Sequence, residues 1–457
     1  MKVLFQNHAS LLIEHCGQYL LTDPWFIQPA FGSWLPTFPS YVHPAYLAAL
    51  GEKLTILVSH GHDDHFDDQL LTLFDAQTRF VTADYQAPSV RNRLKRLGFE
   101  VIETVGQTEI QIGDWLLSAF INPQISEDDA LFLIRTHDGA VIHANDNWFP
   151  LSDANLQLIA DRTADYSRQS VLLFSQTNSA SGYPLTYDIY SESEKIRLLQ
   201  QKIIKMVTGG LENARRLKLP RMFSYAGYAT PYVKGQPYHQ QSVFSTAGYL
   251  NQLLAESAAP ADIYIEDFQP GDWIALPSGQ VQKAFVCGYT DQKLKEKADL
   301  FYRTYGMVEQ CISYRSAAPG AFQAGWTDDF LLSFHDFACS KATAEHSNYA
   351  SVLGKRFRLT VFHGGELSYC RTVQFGQGFC NDAELEAHKE CLVDSAVFQQ
   401  VLNGTALFED LYTGYNARWR RTPATYYNRD LVMMIVMFSY LYKNRLANAL
   451  IAKYHQA

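Results

Sequence analysis

Residues 59–68, SHGHDDHFDD, set three imidazoles and four carboxylates directly behind the apolar run Leu54–Val58. The apolar run reads as a short buried strand and 67–74 as a helix, so the cluster sits on a strand-to-helix loop, where sites are commonly built. The offsets constrain the geometry further. His60, His62, Asp64 and His65 follow H-x-H-x-D-H, too tight for one helix face and suited to a folded loop. In extended backbone His60 and His62 project together, while a turn at Asp63 swings Asp64 and His65 toward a second position a few ångströms away. The spacing therefore predicts a dinuclear metal site, with Asp64 a candidate catalytic residue as well as a ligand.

On these residues the chain resembles the metallo-β-lactamase superfamily, whose signature is this loop after a strand. The stretches Asn7-His8-Ala9-Ser10-Leu11-Leu12-Ile13-Glu14 and Tyr19-Leu20-Leu21-Thr22-Asp23-Pro24-Trp25 are similar to the opening of its ascorbate-phosphate lactonase and N-acylphosphatidylethanolamine phospholipase branch, and to CMP-N-acetylneuraminate hydroxylase. The resemblance implies an αββα sandwich with metals at the sheet ends. Asp23 is expected to accept an N–H from a metal-bound histidine, fixing its tautomer, with His8 lining the site or binding the strand edge. A bridging aspartate is expected after a later strand, and Asp146 supplies it behind a hairpin of 131–136 and 140–144 with Asp138-Gly139 at its turn. His143 is then a neighbour of the ligands or a plain strand residue, and His137 an exposed turn residue. Asn145 stands where the pattern has glycine.

Two departures concern histidines. No His lies between His65 and His137, so an acidic residue of 127–129, with Glu127 and Asp128 foremost, must complete the set or leave an open position. The final motif histidine is missing near 220–228, and His239 is the one downstream nearby. Residues 176–184 and 224–228 look like stretches of the CMP-N-acetylneuraminate hydroxylase group, but the C-x-H and C-x-x-H pattern of a Rieske cluster is not among the seven cysteines. Electrons for oxygen chemistry are then expected from an external donor. A carboxylate replacing an imidazole hardens the ligand set, favouring two irons over zinc, with manganese also compatible.

A net charge of -9 with dispersed Lys and Arg argues against nucleic-acid binding. The run 431–442 is too short to cross a bilayer and reads as a buried helix. An odd number of cysteines without C-x-x-C suggests reduced thiols and a cytoplasmic setting. Cys370, Cys380 and Cys391 are expected to be buried free thiols.

Length predicts two or three domains. Residues 1–265 carry the metal-binding catalytic unit, with helices over 89–97 and 192–217. Turn signals at 259–260 and 269–272 place a boundary near 270. Residues 270–457 read as a smaller α+β unit, with a helix over 291–305, strands including 330–334 and 356–362, and closing helices. Residues 395–412 faintly resemble sterol-carrier-like domains; a lid or homodimerisation module is the alternative. Trp25, Phe26, Phe31, Trp34 and Phe38 form either a substrate wall or a core-covering loop, and Tyr225, Tyr228 and His239 are candidate substrate contacts. The expectation is a metalloenzyme acting on a small organic molecule, a di-iron oxygenase first and a dinuclear hydrolase of a lactone, ester or phosphodiester second. A binding protein with a decayed site is a third class.

Overall fold

The computed structural model describes residues 1–121, 129–145, 151–178, 181–241, 246–257, 263–284, 291–315, 324–380 and 385–454. Along the strand Ala130–Thr136, Phe132 and Ile134 enter one core while Leu131 and Leu133 enter another. Side chains of a strand alternate between faces, so this sheet is buried on both sides. It has seven strands in the order Tyr264–Glu266, Arg221–Tyr225, Val171–Gln176, Gly139–Asn145, Ala130–Thr136, Trp115–Ile121 and Ile110–Ile112. An eight-stranded sheet, running from Gln280–Gln282 through Trp273–Ala275, Lys2–Asn7, Ser10–His15, Gln18–Thr22, Leu54–Val58 and Arg79–Ala83 to Ile102–Val105, shares its first core.

Helices Asp68–Leu71 and Ser89–Arg96 add Leu70, Leu71, Val90 and Leu94 to that shared core. Helices Asp153–Arg162, Glu192–Arg216 and Ala247–Glu256 cover the other face of the seven-stranded sheet. The result is an αββα sandwich, two facing sheets with helices on their outer sides. Trp273–Ala275 and Gln280–Gln282, beyond the boundary expected near 270, extend this sandwich by pairing onto Lys2–Asn7.

A smaller α+β unit follows. Its five-stranded sheet has the order Gly378–Phe379, Glu366–Gln374, Arg356–His363, Lys389–Asp394 and Arg418–Arg421, packed by helices Ala324–Ala342, Ser395–Leu402 and Arg429–Tyr454. The strand expected over 330–334 is instead inside the helix Ala324–Ala342. Phe330, Leu331, Phe334 and Ala338 are buried on one helical face; a five-residue apolar run carries no period long enough to separate strand from helix. Among the described cysteines all are free, and Cys391 is buried as expected, but Cys380 is half-buried and Cys370 exposed, the latter because it points outward from Glu366–Gln374. Among the described residues no helix is long and apolar enough to cross a membrane.

The smaller unit docks onto the sandwich close to the metal loop. Asn416 Nδ2 donates to the Phe31 carbonyl at 3.2 Å, Ser33 Oγ donates to the Gly414 carbonyl, and Trp419 N donates to the Thr186 carbonyl at 2.9 Å. Asp410 is buried in this region and accepts from Leu407 N at 2.8 Å. Burial pushes its carboxyl up to about 8, assisted by the charges of Asp63 and Glu409 and opposed by the Leu407 N–H and Lys443. The unfolded carboxyl ionises near ~4. Between those values the folded chain holds a proton that the unfolded chain has released, so this group's contribution to stability falls as pH rises through the window and levels off above it. Asp410→Asn keeps an acceptor oxygen without the titration. Its melting temperature should exceed wild type by more at pH 8.5 than at pH 5; an equal offset at both would remove the assignment.

Candidate metal centre

The site is assembled from the ends of parallel strands. Leu54–Val58 is buried throughout and lies between Gln18–Thr22 and Arg79–Ala83, parallel to both. Parallel pairing brings Asp23 and Ser59 to the same sheet edge, where Asp23 N donates to the Leu57 carbonyl at 2.9 Å. From the facing sheet, Gly139–Asn145 brings His143 and Asn145.

Asp23 is fully buried and is the hub of the cluster. Its Oδ1 accepts Ser59 N at 2.7 Å; its Oδ2 accepts Ser59 Oγ at 2.7 Å, His65 Nδ1 at 3.0 Å, His143 Nε2 at 2.9 Å and Asn145 Nδ2 at 2.6 Å. Burial alone would raise its pKa, but His143 and His65 hold it well below the usual carboxylate range. With His65 Nδ1 donating to Asp23, Nε2 is left as the lone-pair nitrogen, 3.6 Å from Asp64 Oδ2.

Asp64 lies between two histidine groups. His8 Nε2 is 3.3 Å from its Oδ2, and His60 Nε2 faces His62 Nδ1 at 2.9 Å. The potential ligand atoms of His8, Asp64 and His65 lie within 4.8 Å of one another, and so do those of His60, His62 and Asp64. The chain thus brings together two ligand triads that share Asp64. Burial works to raise the Asp64 pKa, yet His65, His8 and His62 hold it far below the usual range. Its buried Oδ1 has no hydrogen-bond partner among the described residues. Burial first, then His65 and His62, pushes the His60 pKa well down. A buried carboxylate with an uncommitted oxygen, set among four imidazoles, fits divalent metal.

Asp129 stands beside His60, its Oδ1 3.5 Å from His60 Nδ1, and the two residues form an isolated antiparallel bridge. It is the described member of the acidic stretch expected to complete the set. Glu127, Asp128 and Asp146 lie outside the described residues.

Backbone strain concentrates here. His8, Asp23 and Asn145 have φ of 34°, 37° and 46°, a region that costs energy for residues with side chains. This accounts for Asn145: the position demands a left-handed backbone, which Gly supplies freely and Asn tolerates, and Asn adds an amide donor to Asp23.

The loop is clamped from behind. Arg93 donates through Nη1 to the Gly61 carbonyl at 2.7 Å, through Nη2 to Asp63 at 2.9 Å and through Nε to Asp68 at 2.8 Å. Asp67 caps Asp68–Leu71 and accepts the amides of Phe26, Ile27 and Gln28 at 3.0, 2.6 and 3.2 Å. The helix expected over 67–74 therefore begins one residue later and ends at Leu71. Nothing in the sequence singled out Arg93 among the basic residues of Ser89–Arg96.

The aromatic cluster packs behind the ligands. Trp25 is fully buried, with its ring edge-on to His8 at 4.9 Å, and Phe31 lies 5.8 Å from the His62 ring. Tyr225 is fully buried with its hydroxyl on the Ala9 carbonyl, and Tyr228 packs against Phe5 and Phe38. His239 stacks on Tyr232 at 5.5 Å. Trp25, Tyr225, Tyr228 and His239 do not line the cavity that opens at the metal loop. That cavity, about 1310 Å³, runs from His60, His62 and Asp129 to residues of the smaller unit such as Lys389, Tyr412 and Arg421.

No protein-family model matches the chain. A 100-residue segment is 38% identical to a Rieske 2Fe-2S iron-sulfur protein of Mycolicibacterium smegmatis, covering 22% of this chain and 19% of that one. A cytidine monophosphate-N-acetylneuraminic acid hydroxylase of Xenopus laevis is 20% identical over 466 residues, covering 94% of this chain and 71% of that one. The chain thus spans about a fifth of its mycobacterial relative. Among solved structures, an isothiocyanate hydrolase from Delia radicum gut bacteria is 14% identical with TM-score 0.38, covering 60% of this chain and 99% of that one. The diiron β-hydroxylase CmlA of Streptomyces venezuelae is 15% identical with TM-score 0.36, covering 58% and 53%. At these identities neither carries an activity across.

Proposed function

We propose that this chain is a metal-dependent oxygenase that holds two irons on the Ser59–His60 loop and hydroxylates a small organic substrate in the adjoining cavity. The observation that carries this reading is Asp129 beside His60, its Oδ1 3.5 Å from His60 Nδ1, at the end of the stretch where the superfamily resemblance implies a third histidine. Oxygen ligands favour iron or manganese over zinc. In this reading His60, His62 and Asp64 would hold one metal and His8, Asp64 and His65 the other, with Asp129 beside His60 and Asp146 as the further acidic residues proposed for the set. Two irons there supply redox chemistry toward dioxygen, whereas two zincs would supply Lewis acidity for hydrolysis.

The chain's own residues have separate tasks. Asp23 keeps the His65 proton on Nδ1 and so orients Nε2 toward Asp64. Arg93 fixes the Gly61 backbone, holding His60 and His62 at one spacing. The cavity walls bind the substrate and exclude bulk water from the loop. Reducing equivalents come from an external donor.

Hydrolysis of a lactone, ester or phosphodiester is the second reading, favoured by the complete H-x-H-x-D-H loop. Metal analysis and the optical spectrum of protein purified aerobically from cells given both iron and zinc separate the two. Near two irons per chain with a ligand-to-metal band is the expected result. Zinc alone overturns the oxygenase and leaves hydrolysis.

A further inference from the structure

The cavity's far wall is built where the two units meet. The segment around Tyr187 leaves the sandwich and pairs with Trp419 at the edge of the five-stranded sheet. It presents Tyr183 and Tyr187, whose ring centroids are 5.2 Å apart. Three cations gather on these two rings. Lys389 is only 6% exposed; its Nζ donates to Tyr187 Oη at 3.0 Å and lies 4.3 and 4.8 Å from the ring centroids of Tyr412 and Trp419. The Arg421 guanidinium lies 4.6 Å from the Tyr183 ring and 5.4 Å from that of Tyr187, and donates to Tyr190 Oη at 2.6 Å. Lys202, from the helix Glu192–Arg216, lies 5.8 Å from the Tyr183 ring and donates to the Tyr183 carbonyl at 3.3 Å.

All three line the cavity. Among the described residues, none of the three forms an ion pair with a carboxylate. The acids of the same cavity are Asp63, Asp68, Asp129 and Glu409, and Asp63 and Asp68 are engaged by Arg93. Neighbouring cations in a low-dielectric wall repel one another, and phenol hydroxyls and ring faces offset only part of their desolvation. The strain is visible in Lys389, whose ammonium is pushed down to about 7 by burial and by Arg421, and in Lys202, pushed down to about 8 by burial. An anion entering the cavity supplies the missing counter-charge.

We propose that Lys389, Arg421 and Lys202 form an oxyanion subsite that takes a phosphate or carboxylate group of the substrate, while its reacting end lies at the metal loop. This rests on the reading of the cavity as the substrate pocket. Planar Arg421 and the two ammonium groups match the oxygens of either anion, and the interleaved tyrosines suit an adjoining ring or apolar stem.

The test is calorimetric titration of the full chain, as purified, with phenyl phosphate and with benzoate. Wild type is expected to bind at least one, which also names the anion class. Lys389→Met is expected to weaken binding at least tenfold with an unchanged or raised melting temperature, since a buried cation is removed. Arg421→Gln should give the same loss and stands in if the first variant fails to fold. His60→Ala should retain binding within threefold, so the subsite stands or falls independently of the metal and of the oxygenase reading. Absence of binding by both probes, equal affinity in both variants, or loss of binding in His60→Ala alone overturns the proposal.

Discussion

Chains carrying His60→Ala are expected to lose metal affinity by roughly a hundredfold or more and to have no turnover, since even groups one step removed from a metal typically contribute tenfold to a hundredfold. His60 is 2% exposed and is set from both sides: Ser59 Oγ lies 3.0 Å from its Nδ1, and His62 Nδ1 lies 2.9 Å from its Nε2. Removing the ring takes one of three potential ligands from the triad with His62 and Asp64. The second triad, through His8, Asp64 and His65, is untouched, so the variant should retain up to one metal per chain. Metal analysis after dialysis, with circular dichroism to verify folding, checks this. Unchanged metal content would remove His60 from the ligand set.

Asp23→Ala is expected to act on stability as much as on metal. Five donors converge on this carboxylate in a fully buried position, and truncation leaves them without an acceptor. Breaking a buried charged network in this way typically costs about 3–5 kcal/mol, which for a unit of this size lowers the melting temperature by roughly 10 °C. His65 would also lose the acceptor that selects its tautomer, so metal affinity should fall alongside. Thermal unfolding of the metal-free variant against metal-free wild type isolates the first effect. A shift under about 2 °C, less than 1 kcal/mol on that scale, would show that Ser59, His143 and Asn145 find other partners.

The smaller unit illustrates how far local pattern reaches. The expected hairpin is present as Ala130–Thr136 and Gly139–Asn145, with its turn one residue earlier than Asp138-Gly139: His137 and Asp138 form the loop and Gly139 already pairs with Thr136, because a two-residue turn and its flanking strands are local features but the exact register is set by pairing. The 330–334 run is helical rather than extended, and its packing is not local: Phe330 is buried against Phe398, Phe408 and Phe438, residues far along the chain. Lys389 did leave a trace. It shares the strand face of Cys391 and Val393, all buried, so it interrupts an inward-facing row with a charge. That parity is readable in KECLV, but its partners Tyr187, Tyr412 and Trp419 are not.

By itself the sequence determined the elements whose information is short-ranged: the buried strand and histidine loop at 54–65, the hairpin and the long helix Glu192–Arg216. Spacing within ten residues dictates how His60, His62, Asp64 and His65 can meet, because the backbone between them has few conformations. Only the tertiary structure decided which distant groups complete the site. Parallel strand pairing set Asp23 against Ser59, the facing sheet brought His143 and Asn145 to the same carboxylate, and docking of the smaller unit closed a cavity around Lys389 and Arg421. Those meetings depend on sheet order and on the packing of one unit against another, which are set by burial summed over the whole chain rather than by any local run.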